Sequence, residues 1–200
     1  MKNWKTYAVL MALITLSFLC HMRIQCRVEK GFVLWIYTSI HNIRIMYDAM
    51  LIISGTAEFL GILTILIIIT IYEVRSKSNV SKYELLEPVI TLVIAMIIVT
   101  LLKHTVKAPR PRNFQLAGID KYGFPSGHVA RCSAIYYASK YKLLLAWTIL
   151  VAFSRIALGM HYIMDVVGGY LIGLISHYIS TRLEKITPRV LGKRLSQVLC

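Results

Sequence analysis

Charge is scarce in this 200-residue chain: 16% of residues are charged while 57% are hydrophobic, whereas ordinary soluble domains carry about a quarter charged residues. With a mean hydropathy of +0.64, a soluble globule has nowhere to hide so much apolar surface, and that class is excluded. Acidic residues are scarcer still. Nine Asp and Glu face 23 Lys and Arg, leaving a formal charge of +14. The basic residues are spread between long apolar runs, which argues against a nucleic-acid partner and for a bilayer with anionic head groups or an anionic substrate. Cysteine is limited to Cys20, Cys26, Cys132 and Cys200, scattered without metal-ligand spacing or the density of a disulfide framework. The length suits one domain, taken as residues 1–200, and excludes a large multidomain machine.

What is abundant is apolar sequence in segments. Met-Lys-Asn-Trp-Lys precedes an apolar run from Tyr7 to Cys20, the pattern of a signal peptide or a short signal anchor. No small-x-small cleavage site follows, so a retained helix is expected. Residues 31–47 interleave aromatic and polar side chains and suit either the membrane interface or an anchored loop. The run from Ala49 to Tyr72 is long enough to cross a hydrocarbon core, for which about 20 helical residues suffice. After a polar connector, Pro88 is placed to open a helix running through Leu102. Residues 103–128 are the least hydrophobic stretch, punctuated by Pro109, Pro111, Gly118, Gly123 and Pro125. Apolar segments return at 129–139, 143–159 and 163–181, the last carrying Gly169 and Gly173 as a small-xxx-small packing face. The expectation is an all-α, multi-pass transmembrane bundle of about six helices.

Threading these six segments puts the N-terminus, the 73–87 connector, the Lys140 turn and a basic tail at 182–200 on one side. The 21–48 and 103–128 loops fall on the other. Basic residues nearly balance across the two sides until Lys103, Arg110 and Arg155 are reserved for a site. The surplus then lies on the side of the N-terminus and tail, which the positive-inside rule makes cytoplasmic.

Three pieces place expensive polar groups at the ends of apolar helices: Lys103 to Pro111, Pro125 to His128, and Ser154 to Asp165. All fall on the same side of the threaded membrane, so they can converge. Cations in one low-dielectric pocket repel unless an anion sits between them, and ionisable residues at membrane depth are functional candidates. His161 and Asp165, four apart, share a helical face, so the carboxylate can fix the imidazole tautomer and leave the other nitrogen as a nucleophile. Ser126 and Gly127 precede an apolar helix whose free N–H groups favour a phosphate oxygen. His128, at the same helix start, can protonate a leaving oxygen. Arg110 and Arg155 supply forks for phosphate oxygens and Lys103 a point charge.

These residues closely resemble the signature of the type 2 phosphatidic acid phosphatase (PAP2) superfamily, K-x6-RP, PSGH and SR-x5-H-x3-D. Lys103, Arg110 and Pro111 match the first part, Pro125 to His128 the second, and Ser154, Arg155, His161 and Asp165 the third. The signature is complete and spans 103–165. The resemblance implies His161 as a nucleophile forming a phosphohistidine, Asp165 as its orienter and His128 as leaving-group acid. It assigns phosphate binding to Lys103, Arg110, Ser126, Gly127 and Arg155, with no metal or cofactor.

Two residues outside the signature invite a role. Arg131, one turn after His128 on nearly the same face, is a candidate for the outer or lipid-linked phosphate of a diphosphate. Glu58 is expected level with Lys103 and is read either as a partner of Lys103 or His104, or as a carboxyl facing a neighbouring Ser or Thr or held protonated. Ser154 is either a phosphate ligand or a helix hydrogen-bonder. Lys107, Arg112 and Lys121 are expected as solvated or lipid-facing charges, His104 as an interfacial one. The expected function is hydrolysis of an isoprenoid diphosphate, polyprenyl or dolichyl, at the extracytoplasmic face of the cell membrane. The alternatives are a phosphatidylglycerophosphate or phosphatidic acid phosphatase, or a lipid phosphotransferase.

Overall fold

The computed structural model describes the backbone of residues 4–21, 24–76, 82–112 and 118–198, without the side chains of 4–7, 20–21, 24–28, 82–84, 119 and 185–198. Cys200 and the side chains of Cys20, Cys26 and the tail residues Lys185, Arg189, Lys193 and Arg194 therefore lie outside it. Among the described residues the chain forms eight α-helices and one 3-10 turn. In order they are α1 (Trp4–His21), α2 (Ile24–His41), α3 (Arg44–Gly55), α4 (Phe59–Ser76), α5 (Lys82–Val106), the 3-10 turn (Gly118–Lys121), α6 (Gly127–Ser139), α7 (Lys142–Ala157) and α8 (Ile163–Val198).

An all-helical answer follows from the solvent. Lipid offers no hydrogen bonds, so each spanning segment must satisfy its own backbone. Even its hydroxyls turn inward: Thr64 and Thr70 each donate to the carbonyl four residues earlier, at 2.9 Å. Phe59–Ser76, Leu85–Val106 and Ile163–Glu184 are long and apolar enough to cross a membrane. Their outer faces are bare hydrocarbon, with Phe59 73% and Leu60 74% exposed.

α6 is the hub. Its small buried residues Ala130, Cys132, Ser133 and Ala134 let α5, α7 and α8 pack against it. On α8 the glycine pair makes the close contact read from the sequence: a Cβ at Gly173 would stand 2.1 Å from Ser133 Oγ, and one at Gly169 2.5 Å from the Ser126 carbonyl. α1 joins this core through Leu13, beside Ala95, Val99 and Ile172.

The expected boundaries change in four places. The Ala49–Tyr72 run is not one span but two helices, α3 and α4, with a break at 56–58. α5 begins at Lys82, so Pro88 lies inside it, in its second turn, where a proline forfeits the bond to the carbonyl four residues earlier and its ring crowds that carbonyl. Residues 31–47 divide between α2 and α3, both of which pack on α7. Beyond the expected end at Thr181, α8 continues to Val198.

Candidate active site

The three polar pieces meet at one end of the bundle, around a cavity of about 400 Å³. Its walls include Lys103 from α5, Arg110 from the following loop, Gly127, His128 and Arg131 from the start of α6, Arg155 from α7 and His161 from the α7–α8 turn. Glu58, from the α3–α4 break, and Asp120, from the 3-10 turn, complete the polar lining.

His161 is buried to 1% and Asp165 completely. His161 Nδ1 stands 3.4 Å from Asp165 Oδ2, and the same oxygen accepts the Tyr162 N–H at 2.9 Å. On the other side Arg110 Nη1 approaches His161 Nε2 at 3.3 Å. A guanidinium only donates, so Nε2 carries the lone pair and Nδ1 the hydrogen, with the carboxylate nearby at 3.4 Å but not in hydrogen-bond geometry. Burial, then Arg110, Arg155 and Lys103, hold this imidazole well below its ordinary pKa, so it is neutral with its free nitrogen facing the cations.

The cations are themselves held. Arg110 donates through Nε at 2.9 Å and Nη2 at 2.6 Å to the Asp120 carbonyl, and through Nη1 at 2.8 Å to the Met160 carbonyl. Lys103, 4% exposed, lies 3.2 Å from Asp120 Oδ1. Arg155 donates through Nη1 to Ser54 Oγ at 2.6 Å. Its Nε and the buried Ser126 hydroxyl have no protein partner among the described residues. Four cations against two exposed carboxylates suit an anion. Among the described residues no three His, Cys, Asp or Glu side chains converge as metal ligands.

The profile of the PAP2 superfamily matches residues 84–187, a stretch holding all three motifs. This chain belongs to the PAP2 superfamily. Its fold is shared with the crystal structure of a transmembrane PAP2-type phosphatidylglycerolphosphate phosphatase from Bacillus subtilis: TM-score 0.73, 18% identity, 91% of this chain and 96% of that one. In sequence it is 28% identical to phosphatidylglycerophosphatase B of Bacillus subtilis over 95 residues, 39% of this chain and 47% of that protein. It is also 28% identical to the undecaprenyl-diphosphatase of Sulfolobus acidocaldarius over 124 residues, 56% of this chain and 59% of that protein. The chain thus spans about half the length of these curated relatives.

Of the PAP2 signature residues, Lys103, Arg110, Gly127, His128, Arg155 and His161 line the cavity, but several partners differ from those read in the sequence. Lys103 pairs with Asp120, not Glu58. Glu58 instead accepts from His128 Nε2 at 2.7 Å and lies 4.0 Å from Arg131 Nη2. The reason is the break at 56–58, which turns the carboxylate toward α6 instead of carrying it along a continuous helix. The Ser126 N–H is not free for phosphate, because it donates to the Asp165 carbonyl at 2.9 Å. Ser154 is a helix hydrogen-bonder, donating to the Val151 carbonyl at 2.7 Å. Arg112 is not solvated: its guanidinium lies 3.8 Å over the Tyr37 ring. His104, Lys107 and Lys121 are exposed as expected.

Sequence reasoning missed four contributors. Asp120 organises both Lys103 and Arg110. Ser54 anchors Arg155. Trp147 Nε1 donates to Thr56 Oγ1 at 2.8 Å and fastens the α3–α4 break. Glu29 Oε2 accepts the Ile163 N–H at 2.9 Å, capping α8 just before Asp165. None has a fixed spacing from the motifs, so nothing in the sequence singled them out.

Proposed function

We propose that this chain, as one domain, is an integral-membrane lipid phosphatase hydrolysing an isoprenoid diphosphate, polyprenyl or dolichyl, to the monophosphate and phosphate at the extracytoplasmic face. One observation carries the lipid reading. The cationic cavity shares Met96, Thr100 and Arg131 with an apolar groove of about 580 Å³ that runs between α4 and α5 and is lined by Phe59, Leu63 and Leu92. A head group in the cavity and a hydrocarbon tail in the groove would meet at Arg131. That placement, with three further cations around His161, favours two phosphates over one.

In this reading neutral His161 attacks the terminal phosphorus through Nε2, forming a P–N bond as the P–O bond to the lipid phosphate breaks. Lys103, Arg110 and Arg155 stabilise the charge spread over the equatorial oxygens, commonly the largest catalytic contribution. Asp165 stabilises the imidazolium character that develops on His161. His128 gives a proton to the departing oxygen, then takes one from the water that cleaves the P–N bond and releases phosphate. No step calls for a metal ion.

A glycerolipid phosphatase is the second reading, because one relative in sequence and one in fold carry phosphatidylglycerophosphatase names. A phosphotransferase would pass the same phosphohistidine to an alcohol instead of water. Phosphate release by detergent-purified protein in EDTA separates these readings, with polyprenyl diphosphate, phosphatidylglycerophosphate and phosphatidic acid as substrates. The expected result is release from the diphosphate first, undiminished by the chelator and abolished in His161→Ala. Retained activity in His161→Ala overturns the nucleophile, a glycerolipid preference the substrate, and release only with an added alcohol the hydrolysis.

A further inference from the structure

The break at 56–58 is the costliest irregularity in the chain's longest apolar run, and it is built with care. The Ala57 N–H donates to the Ser54 carbonyl at 3.1 Å and the Glu58 N–H to the Gly55 carbonyl at 3.0 Å. Thr56 gives its hydroxyl hydrogen to the Ile53 carbonyl at 2.6 Å while receiving the Trp147 N–H. Ala57 is fully buried. Gly61 lets α4 start against this turn, since a Cβ there would stand 2.2 Å from the Thr56 carbonyl oxygen. The product of these contacts is one carboxylate, Glu58, at the mouth of the cavity and 2.7 Å from His128 Nε2.

A carboxylate can only accept, so His128 Nε2 carries a hydrogen and Nδ1 is left for the substrate. The other charged or titratable groups lining the cavity with His128 are Arg131 on its own helix, Lys103 on α5, Arg110 and Asp120 on the connecting segment, Arg155 on α7 and His161 on the α7–α8 turn. Burial first, then the cations among these groups, disfavours a protonated imidazole and lowers the His128 pKa. Glu58 is the carboxylate in hydrogen-bond contact that opposes them. It stays ionised, its pKa held down to about 2 first by the His128 hydrogen bond.

We infer that Glu58 is a positioning residue for the leaving-group acid: through Nε2 it orients His128 and supplies the negative charge that favours its protonated form, so that Nδ1 can deliver the proton as the P–O bond breaks. The inference rests on the phosphatase reading above. The Nε2 hydrogen remains between the two side chains throughout. The Nδ1 proton passes to the departing oxygen, and the hydrolytic water restores it.

General-acid help matters in proportion to the basicity of the leaving group. The test therefore compares decyl phosphate, whose alkoxide needs a proton, with a decyl-substituted nitrophenyl phosphate, which does not. Glu58→Gln is expected to lower kcat/KM about 100-fold on the alkyl ester and about threefold or less on the aryl ester. The basic limb of the alkyl pH profile moves to lower pH, because removing a neighbouring negative charge lowers the imidazole pKa. Glu58→Asp, keeping the charge, returns the alkyl-to-aryl ratio most of the way to wild type. If Glu58→Gln cannot be purified, the Glu58→Asp and Gly61→Ala proteins are read by the same ratio, the second expected to lose alkyl activity selectively. Equal losses on both esters, or an unmoved basic limb, overturn the inference. Absence of release by the wild-type protein from both esters and from polyprenyl diphosphate instead overturns the phosphatase reading.

Discussion

Asp165 is a carboxylate with no exposed surface, wedged where three backbones converge. Tyr162 and His161 claim one oxygen, its own carbonyl receives the Ser126 N–H, and Gly123 passes so close that a Cβ would stand 2.9 Å from both Asp165 Oδ2 and the Pro109 carbonyl. Neither neighbour can retreat: the oxygen is buried and the carbonyl is main chain. Gly123→Ala is therefore expected to push the carboxylate off His161 and lower kcat about 100-fold, the cost of roughly an ångström of misplacement, while the protein still elutes as a folded species from size exclusion. Full activity would show that Asp165 tolerates the shift. The residues legible in the sequence were those whose chemistry dictates type and spacing: His161 with Asp165 four apart, the serine, glycine and histidine before α6, the paired arginines. Ser54, Asp120 and Glu29 were not legible, because a hydroxyl or carboxylate that steadies an arginine can come from any element that packing brings near. Glu58 lay between these cases; its oddity was visible in an apolar run, its partner was not.

At the scale of elements, the contact between α6 and α8 carries both stability and the site. Gly173 and Gly169 lie on one face of α8, but their neighbours differ. Gly173 meets Ser133 and the Ala134 backbone in mid-helix, whereas Gly169 meets the Ser126 carbonyl, where the helix that presents His128 begins. Gly173→Ala is expected to cost about 1–3 kcal/mol by overpacking and to lower the thermal midpoint in detergent with activity per folded molecule unchanged. Gly169→Ala adds a loss of activity, since relief of its clash must move Ser126. Equal kcat in the two variants at a temperature where both are folded would contradict this division. The glycine face was readable because small residues four apart on an apolar helix have few other uses. The division of residues 49–72 was not. Hydropathy sums side chains and is blind to a turn whose cost is met by Trp147, nearly a hundred positions away in the chain and bonded to Thr56.

For the molecule as a whole, the three motifs meet at one end as threading six segments anticipated, and α2 and α3 pack on α7, but among the described residues three helices, not six, are long and apolar enough to cross a membrane. The proposal that the site end faces outward rests on charge. Lys103 and Arg155 are buried, Arg110 and Arg131 line the cavity and Arg112 is stacked on Tyr37. Setting these cations aside as part of the site leaves the basic surplus of the sequence with the N-terminus, the Lys140 turn and the tail, and we propose that this other end is the cytoplasmic one by the positive-inside rule. α4 makes the two ends experimentally distinct, because its 18 residues extend about 27 Å at 1.5 Å per residue. In a background with Cys20, Cys26 and Cys200 replaced by Ser, the remaining Cys132 has no exposed surface and should not react. Lys121→Cys then reports from the 3-10 turn beside the site and Arg75→Cys from the far end of α4. In intact cells a membrane-impermeant maleimide is expected to label the first, and to label the second only after permeabilisation. The opposite pattern would put the cavity in the cytoplasm, and a substrate head group in that leaflet. The charge argument would then fail while the site geometry stood, since nothing in the packing of His161, Asp165 and His128 depends on the side from which the lipid arrives.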